Sequence, residues 1–188
     1  LGPATTGVYS NVRYRAIPTG LTLFERLKSH FGVEGIATAA VTGKSKNLVE
    51  TLANAVSAMD VSSIESQDAD AVGAEALAVL EAFRDRAFFA FVHFRDPDHA
   101  GHLTGENSHP YEDAIVDCDV WLGKILSTLE ALGMSDRTAV YVATDHGFDE
   151  GARVHLSAPE VWLVSEERVA APFSGEGDQK DVAATILA

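Results

Sequence analysis

The stretch FFAFVHFRDPDHAGH, at residues 88–102, decides how this chain folds. Its first part, residues 88–94, is an apolar run of strand length, and short continuous runs suit strands that are buried on both faces. Asp96, Asp98 and His102 follow the run directly. In α/β sheets, functional residues collect beyond the carboxyl ends of the strands. The stretch therefore predicts a buried strand whose following loop delivers carboxylates and an imidazole to a site.

A second apolar run, TAVYVAT at residues 138–144, repeats this arrangement. Asp145 and His146 follow it directly, and His155 stands a short loop later. Carboxylate and imidazole groups are ligands that zinc, manganese and iron favour in catalytic sites. A lone histidine is more often a surface or core residue, but two strand ends that both carry such groups are a rarer coincidence. The pattern predicts a metal site.

Other polar residues and glycines near these groups receive different interpretations. His93 lies inside the first apolar run and is predicted to be a core histidine. His99 and His109 flank the predicted metal loop without occupying ligand positions. Gly101 and Gly147 are predicted to let the backbone turn tightly beside the metal.

The rest of the chain alternates between helical and strand-like patterns. Thr22 and Glu25 form a capping box in front of a helix that ends at Gly32. Helical spacing covers residues 47–59, 74–83, 110–132 and 181–187, strand-like runs cover residues 36–41 and 161–164, and residues 61–70 are predicted to be a surface loop. This alternation favours a single α/β domain over residues 1–188, with a mainly parallel sheet flanked by helices.

Composition excludes several classes of partner. Lys and Arg number 14 against 28 Asp and Glu, and the net charge of −14 disfavours binding to nucleic acid and to anionic membranes. No apolar run approaches the ~18 residues that a membrane span requires. The sequence holds one cysteine, so no disulfide can form within it. Because it begins at Leu1 rather than Met, we expect the chain to be incomplete at both ends, and localisation is not assigned.

Two of the quoted motifs carry a family resemblance. DHAGH at residues 98–102 resembles the D-x-x-G-H motif of nucleotide pyrophosphatase/phosphodiesterases and cofactor-independent phosphoglycerate mutases. TDHGF at residues 144–148 resembles the T/S-D-H-G motif of the same alkaline phosphatase superfamily. Weaker similarities to segments of this superfamily lie at residues 3–8, 21–28 and 181–187. The resemblance implies an alkaline-phosphatase-like α/β fold.

The resemblance also implies a ligand set and a mechanism. Asp98, His102 and His155 would hold one divalent ion, and Asp145 and His146 would help to hold a second. Zinc is the expected metal, with manganese as the alternative. The implied reaction is an in-line displacement that two metal ions assist and that passes through a covalent intermediate.

The nucleophile that the resemblance implies, a Ser, Thr or modified Cys, would lie upstream of Leu1, so no catalytic residue is assigned. Thr5, Thr6 and Ser10 align just after the nucleophile position. Lys44 and Asn11 are candidates for substrate binding, with an ordinary loop role as the alternative for each.

Phosphate mono- or diesters are the favoured small-molecule substrates. The sulfatases of the superfamily usually bind calcium through Asp and Asn, whereas this site is rich in histidine, which favours zinc or manganese. The chain is also too short before residue 98 for the large inserted domain of a mutase. A sulfatase and a non-catalytic metal-binding module without a nucleophile remain the alternatives. The sequence makes no prediction about oligomeric state.

Overall fold

The computed structural model describes residues 15–63, 67–157, 161–165 and 181–186. Its strands are β1 (Ala37–Thr42), β2 (Val61–Ser62), β3 (Phe88–His93), β4 (Tyr141–Ala143) and β5 (Leu163–Ser165). Its α-helices are α1 (Leu23–Phe31), α2 (Ala69–Phe83), α3 (Asp96–Thr104), α4 (His109–Ala131) and α5 (Val182–Ile186). Short helical turns cover Asn47–Thr51, Val56–Ala58 and Ser135–Arg137.

A parallel sheet with strand order β2-β1-β3 forms the centre of the fold. β1 and β3 pair along their whole length, from Ala37 opposite Phe88 to Thr42 opposite His93. Every residue of β1 is buried, because β1 has a strand on each side and α2 packs against it. The predicted α/β fold with a parallel sheet is therefore confirmed.

β3 is less buried than its apolar sequence predicts. Each of its residues is partly or largely exposed, and Phe91 retains 40% of its accessible surface. Within the described ranges, β3 pairs with β1 on one side and has no hydrogen-bonded strand on the other. The prediction of a strand buried on both faces is therefore wrong, because β3 forms the edge of this sheet.

β4 and β5 form a separate antiparallel pair. The run at residues 138–144 was expected to be a buried strand, but only Tyr141–Ala143 form one, and none of these residues is buried. β4 is less buried than expected because it pairs with β5 in a separate two-stranded sheet rather than in the parallel sheet. β5 lies close to residues 161–164, where the sequence predicts a strand. Thr144 extends the pair by donating its amide hydrogen to the carbonyl of Trp162 at 3.1 Å.

The helices follow their capping residues. The capping box of Thr22 and Glu25 is present at the start of α1, as predicted. Asp68 caps α2 by accepting a hydrogen bond from the amide of Ala71 at 3.0 Å, so α2 begins at Ala69 rather than at residue 74. The surface loop predicted for residues 61–70 is correspondingly shorter and contains β2.

α4 agrees with its prediction to within a residue at each end. Ile115 and Leu126 are among the apolar residues with helical spacing over 110–132, yet they are 45% and 37% exposed, so the apolar face of α4 is only partly covered. α4 packs on α2 where the Trp121 ring lies against Gly73. None of the helices in the described segments has both the length and the apolar character that crossing a bilayer requires.

The helix predicted over residues 47–59 does not form as one element. Its backbone groups are bound elsewhere, because the Thr51 carbonyl accepts a hydrogen bond from the amide of Ile17 at 2.9 Å. The Ala55 amide, which a regular helix would direct to Thr51, instead donates to the Leu52 carbonyl at 2.8 Å. The segment therefore forms a short π-helix and a separate short 3₁₀-helix.

A buried lysine joins α1 to the parallel sheet. Lys28 is only 9% exposed, and its Nζ donates hydrogen bonds to the carbonyls of Val33 and Ile36 and to Asp60 Oδ2 at 2.7–2.8 Å. Asp60 Oδ2 also accepts from the amide of Thr38 at 2.8 Å. Burial acts to raise the pKa of Asp60, but these hydrogen bonds and the Lys28 charge outweigh it and lower the pKa.

We expect Gly73→Ala and Gly123→Ala to have opposite effects on stability. A Cβ at Gly73 would lie 2.1 Å from the Trp121 ring, whereas no atom lies within 4 Å of one at Gly123 on α4. Gly73→Ala should therefore destabilise the fold by about 1–3 kcal/mol, and Gly123→Ala should stabilise it by about 0.5–1 kcal/mol. Urea unfolding measures both changes, and an equal effect of the two variants would contradict this packing.

Asp60→Asn should destabilise the protein by about 1–3 kcal/mol at pH 7, because Lys28 is buried and loses its counter-charge, while the partial exposure of Asp60 reduces the effect. Since the pKa of Asp60 is lowered in the fold, this contribution is present above the unfolded-state pKa of about 3.9 and is lost as pH falls through the lower folded pKa. Urea unfolding of both proteins at several pH values should show a constant difference from pH 7 to 5. A difference that vanished by pH 5 would contradict this assignment.

Candidate metal centre

The D-x-x-G-H segment lies on a helix, not in the loop that the sequence predicts. Residues 96–104 form α3, with Pro97 in its first turn, where a missing amide hydrogen costs no helical hydrogen bond. Asp98 and His102 are four residues apart and therefore lie on one face of this helix. Asp98 Oδ1 is 3.3 Å from His102 Nε2.

Two further imidazoles approach the same carboxylate oxygen. His146 Nε2 lies 3.9 Å and His155 Nε2 lies 3.8 Å from Asp98 Oδ1. The two rings stack with their centroids 3.9 Å apart. The ligand atoms of Asp98, His102 and His155 all lie within 4.8 Å of one another. The structure thus brings together the residues that were expected to hold the first ion, with His146 beside them.

Hydrogen bonds on the far side of two rings fix their tautomers. His102 Nδ1 lies 2.8 Å from the carbonyl oxygen of Arg153, and His146 Nδ1 lies 3.1 Å from that of Gly147. Because a carbonyl oxygen only accepts, each Nδ1 carries the hydrogen. In its neutral form, each ring therefore turns the lone pair of Nε2 towards the Asp98 carboxylate.

Asp98 Oδ1 is buried and has no hydrogen-bond partner among the described residues. A buried carboxylate oxygen that faces imidazole lone pairs is unfavourable unless a proton or a cation lies between them. One proton can bridge Asp98 to only one of the rings, whereas one divalent cation can accept a lone pair from several. The donor set therefore has the chemistry that a zinc or manganese ion requires.

The Phe148 ring packs against the histidines of this cluster. It is buried, and its ring meets those of His102 and His155 edge to face, with centroids 5.1 and 5.5 Å apart. Gly101 makes room for it, because a Cβ at Gly101 would lie 2.6 Å from the Phe148 ring. Neither Gly101 nor Gly147 has a positive φ. The tight turn expected at Gly101 is wrong, because Gly101 lies inside α3, and its requirement is close approach.

The loop that carries His155 is held at both ends. Both carboxylate oxygens of Asp149 accept hydrogen bonds from the amides that directly follow His155, at 3.2 and 2.8 Å. Glu106, just after α3, accepts a hydrogen bond from the Gly151 amide at 2.9 Å. The imidazole of His155 is thus tied to α3 through the loop backbone.

The remaining predicted site residues are placed less centrally. Asp145 Oδ2 lies 3.6 Å from His146 Nε2, but the Asp145 side chain is 80% exposed and lies outside the group of three. Lys44 Nζ forms an ion pair with Asp98 Oδ2 at 3.2 Å. Asn11 lies outside the described residues. The roles of Lys44 and Asn11 in substrate binding stay predictions.

The other histidines do not join the cluster. His93 lies in β3. Burial of its ring lowers the pKa of His93, so this ring is neutral at pH 7. His109 is 95% exposed, and its Nδ1 lies 3.2 Å from Glu112. His99 is also exposed. These placements agree with the interpretation that none of the three occupies a ligand position.

Sequence reasoning missed the residues that orient the imidazoles. Phe148 directly follows the Asp-His-Gly group. An apolar residue at that point was the available signal that a ring packs against the histidines. Asp149 follows Phe148 in the sequence, and the structure shows that it holds the loop of His155 by accepting two backbone hydrogen bonds. Nothing in the sequence indicates the backbone carbonyl of Arg153, because a main-chain acceptor leaves no trace in residue type.

A model of the type I phosphodiesterase / nucleotide pyrophosphatase family matches residues 24–183. This chain belongs to that family. The match includes both motifs and every described residue of the cluster, so the resemblance to the alkaline phosphatase superfamily is confirmed.

Curated relatives match a smaller part of the chain. It is 34% identical over 85 residues to a steryl-sulfatase of Rattus norvegicus, which covers 40% of this chain and 14% of that protein. It is 35% identical over 82 residues to a steryl-sulfatase of Mus musculus, which covers 39% of this chain and 12% of that protein. The chain thus corresponds to a small part of these relatives. The matching family model is named for phosphodiesterases and nucleotide pyrophosphatases, and both of these relatives are named as sulfatases.

Gly101→Ala should destabilise the protein by about 1–3 kcal/mol, because the added methyl group displaces the Phe148 ring. The NMR resonances of the His102 and His155 rings should shift in the same variant, since Phe148 lies edge-on to both. Leu103→Ala is the control, because Leu103 lies on the same helix with 59% of its surface exposed. Thermal unfolding and imidazole NMR spectra that are unchanged in Gly101→Ala would contradict the role of Phe148.

Proposed function

We propose that this chain is the metal-binding part of a hydrolase of phosphate mono- or diesters, with two divalent ions, zinc or alternatively manganese, as cofactors. The observation that carries the proposal is the environment of Asp98 Oδ1. This oxygen is buried, it has no hydrogen-bond partner in the described part of the chain, and it faces three imidazole Nε2 atoms at 3.3–3.9 Å. Convergent donors of this kind suit a catalytic metal site.

Asp98, His102 and His155 would hold one ion, and His146 with Asp145 would help to hold a second. The chemistry available from divalent ions held by these residues would be Lewis acidity toward an ester oxygen and stabilisation of negative charge. The chain itself supplies orientation. Backbone carbonyls fix the tautomers of His102 and His146, and hydrogen bonds of this type are usual behind metal-binding imidazoles.

The phosphate ester is favoured by the donor set. Three imidazoles at one carboxylate suit zinc or manganese better than calcium, which takes oxygen ligands. The family model that matches the chain is also one of phosphodiesterases and pyrophosphatases. A sulfatase is the second candidate, because the curated relatives named above are steryl-sulfatases.

Asp98→Asn and His155→Ala should each weaken zinc binding by more than the ~10–100-fold that is typical when an outer hydrogen-bond partner of a ligand is lost. His109→Ala is the control, because His109 is exposed and pairs with Glu112 rather than with the cluster. Zinc affinity is measured by competition with a chelating dye, and bound zinc by elemental analysis after dialysis. Unchanged zinc affinity in both variants would contradict the ligand assignment.

Hydrolysis separates the remaining alternatives. The native protein, loaded with zinc or manganese, is tested with 4-nitrophenyl phosphate, bis(4-nitrophenyl) phosphate and 4-nitrophenyl sulfate. Turnover of either phosphate ester that Asp98→Asn abolishes supports the proposal. Turnover of the sulfate alone assigns the chain to a sulfatase. Stoichiometric zinc without hydrolysis of any ester favours a non-catalytic metal-binding module.

A further inference from the structure

Lys44 is held rigidly at the end of β1. Thr42 is fully buried, and its Oγ1 accepts a hydrogen bond from the Lys44 amide at 3.1 Å and donates one to the Lys44 carbonyl at 3.0 Å. Gly43 between them donates its amide hydrogen to the His93 carbonyl at 2.8 Å. The backbone that carries Lys44 is therefore fixed against the end of β3.

The two oxygens of the Asp98 carboxylate have different environments. Oδ2 is 3.2 Å from Lys44 Nζ, which donates a hydrogen bond to it. Oδ1 is buried, has no hydrogen-bond partner among the described residues, and faces the imidazoles of His102, His146 and His155. Because a carboxylate is planar and rigid, a group that holds one oxygen also sets the direction of the other.

The geometry points to Lys44 as a positioning residue of the metal centre, which holds Asp98 Oδ2 so that Oδ1 stays directed at the imidazoles. This inference rests on the proposed function. It differs from the substrate-binding role expected for Lys44, because its first consequence is on metal affinity rather than on substrate affinity. Carboxylates that ligate metals are commonly held by such hydrogen bonds.

Two effects of Lys44 on a bound cation oppose each other. Its hydrogen bond orients the ligand, whereas its positive charge repels a second cation. The Lys44 side chain is 36% exposed, so water screens its charge. The hydrogen bond joins Nζ to Asp98 Oδ2 at 3.2 Å, which is shorter than the distance to a cation held on the Oδ1 side of the carboxylate. Orientation should therefore outweigh repulsion, and removing Lys44 should weaken metal binding.

The test compares the zinc affinities of Lys44→Met and Lys44→Arg with that of the unmodified chain. Lys44→Met keeps the length of the side chain but loses the donor, and its zinc dissociation constant should rise about 10–100-fold. Lys44→Arg keeps a donor for Asp98 Oδ2 and should stay within a fewfold of the unmodified chain. Lys124→Met is the matched control for charge, because Lys124 lies on α4 over the Trp121 ring.

Thermal unfolding of each variant confirms that the fold is retained. Zinc binding to Lys44→Met that is as tight as in the unmodified chain, or tighter, would overturn this inference and leave the proposed metal site intact. Unchanged zinc affinity with a raised KM for a phosphate ester would assign Lys44 to the substrate instead. No zinc binding by the unmodified chain would overturn the proposed function itself, and this inference with it.

Discussion

The in-register pairing of β1 with β3 is the constraint on which the rest of the structure depends. Because Thr42 lies opposite His93, both strands end at the same level. The turn after β1 and the start of α3 therefore meet at one edge of the sheet, where such sheets assemble their sites. Lys44 and Asp98 are 54 positions apart in the chain, yet they form an ion pair there.

The helices whose signals lie within a few neighbouring residues were predicted well. Capping by Thr22 and the long helical period of residues 110–132 depend on neighbours within a few positions, so α1 and α4 agree with the sequence. α3 was missed because Asp, Pro, Gly and His in one short segment resemble a loop, although Pro97 is favourable in a first turn. The edge position of β3 and the antiparallel pairing of β4 depend on partners far along the chain, and the segment at 47–59 is broken by contacts with Ile17.

The candidate site was predicted as a set of residue types rather than as a geometry. Motif spacing picked out Asp98, His102 and His155, and the structure brings their ligand atoms within 4.8 Å of one another. The groups that orient these side chains are harder to recognise in the sequence. Phe148 acts through its shape and the Arg153 carbonyl through the main chain, and neither property depends on a spacing rule. The chain has a net charge of −14, yet it places the cationic Lys44 directly against Asp98 in the cluster.

The exposed outer side of β3 has a practical consequence for work with this chain. Within the part of the chain that the structure describes, one edge of β3 has no paired strand, and such an edge with an apolar side chain such as Phe91 is a template for pairing with another molecule. Proteins usually protect such edges with charged residues, prolines or covering segments, and FFAFVH contains no lysine and no proline. A lysine in place of Phe91 would add the kind of charge that protects such edges.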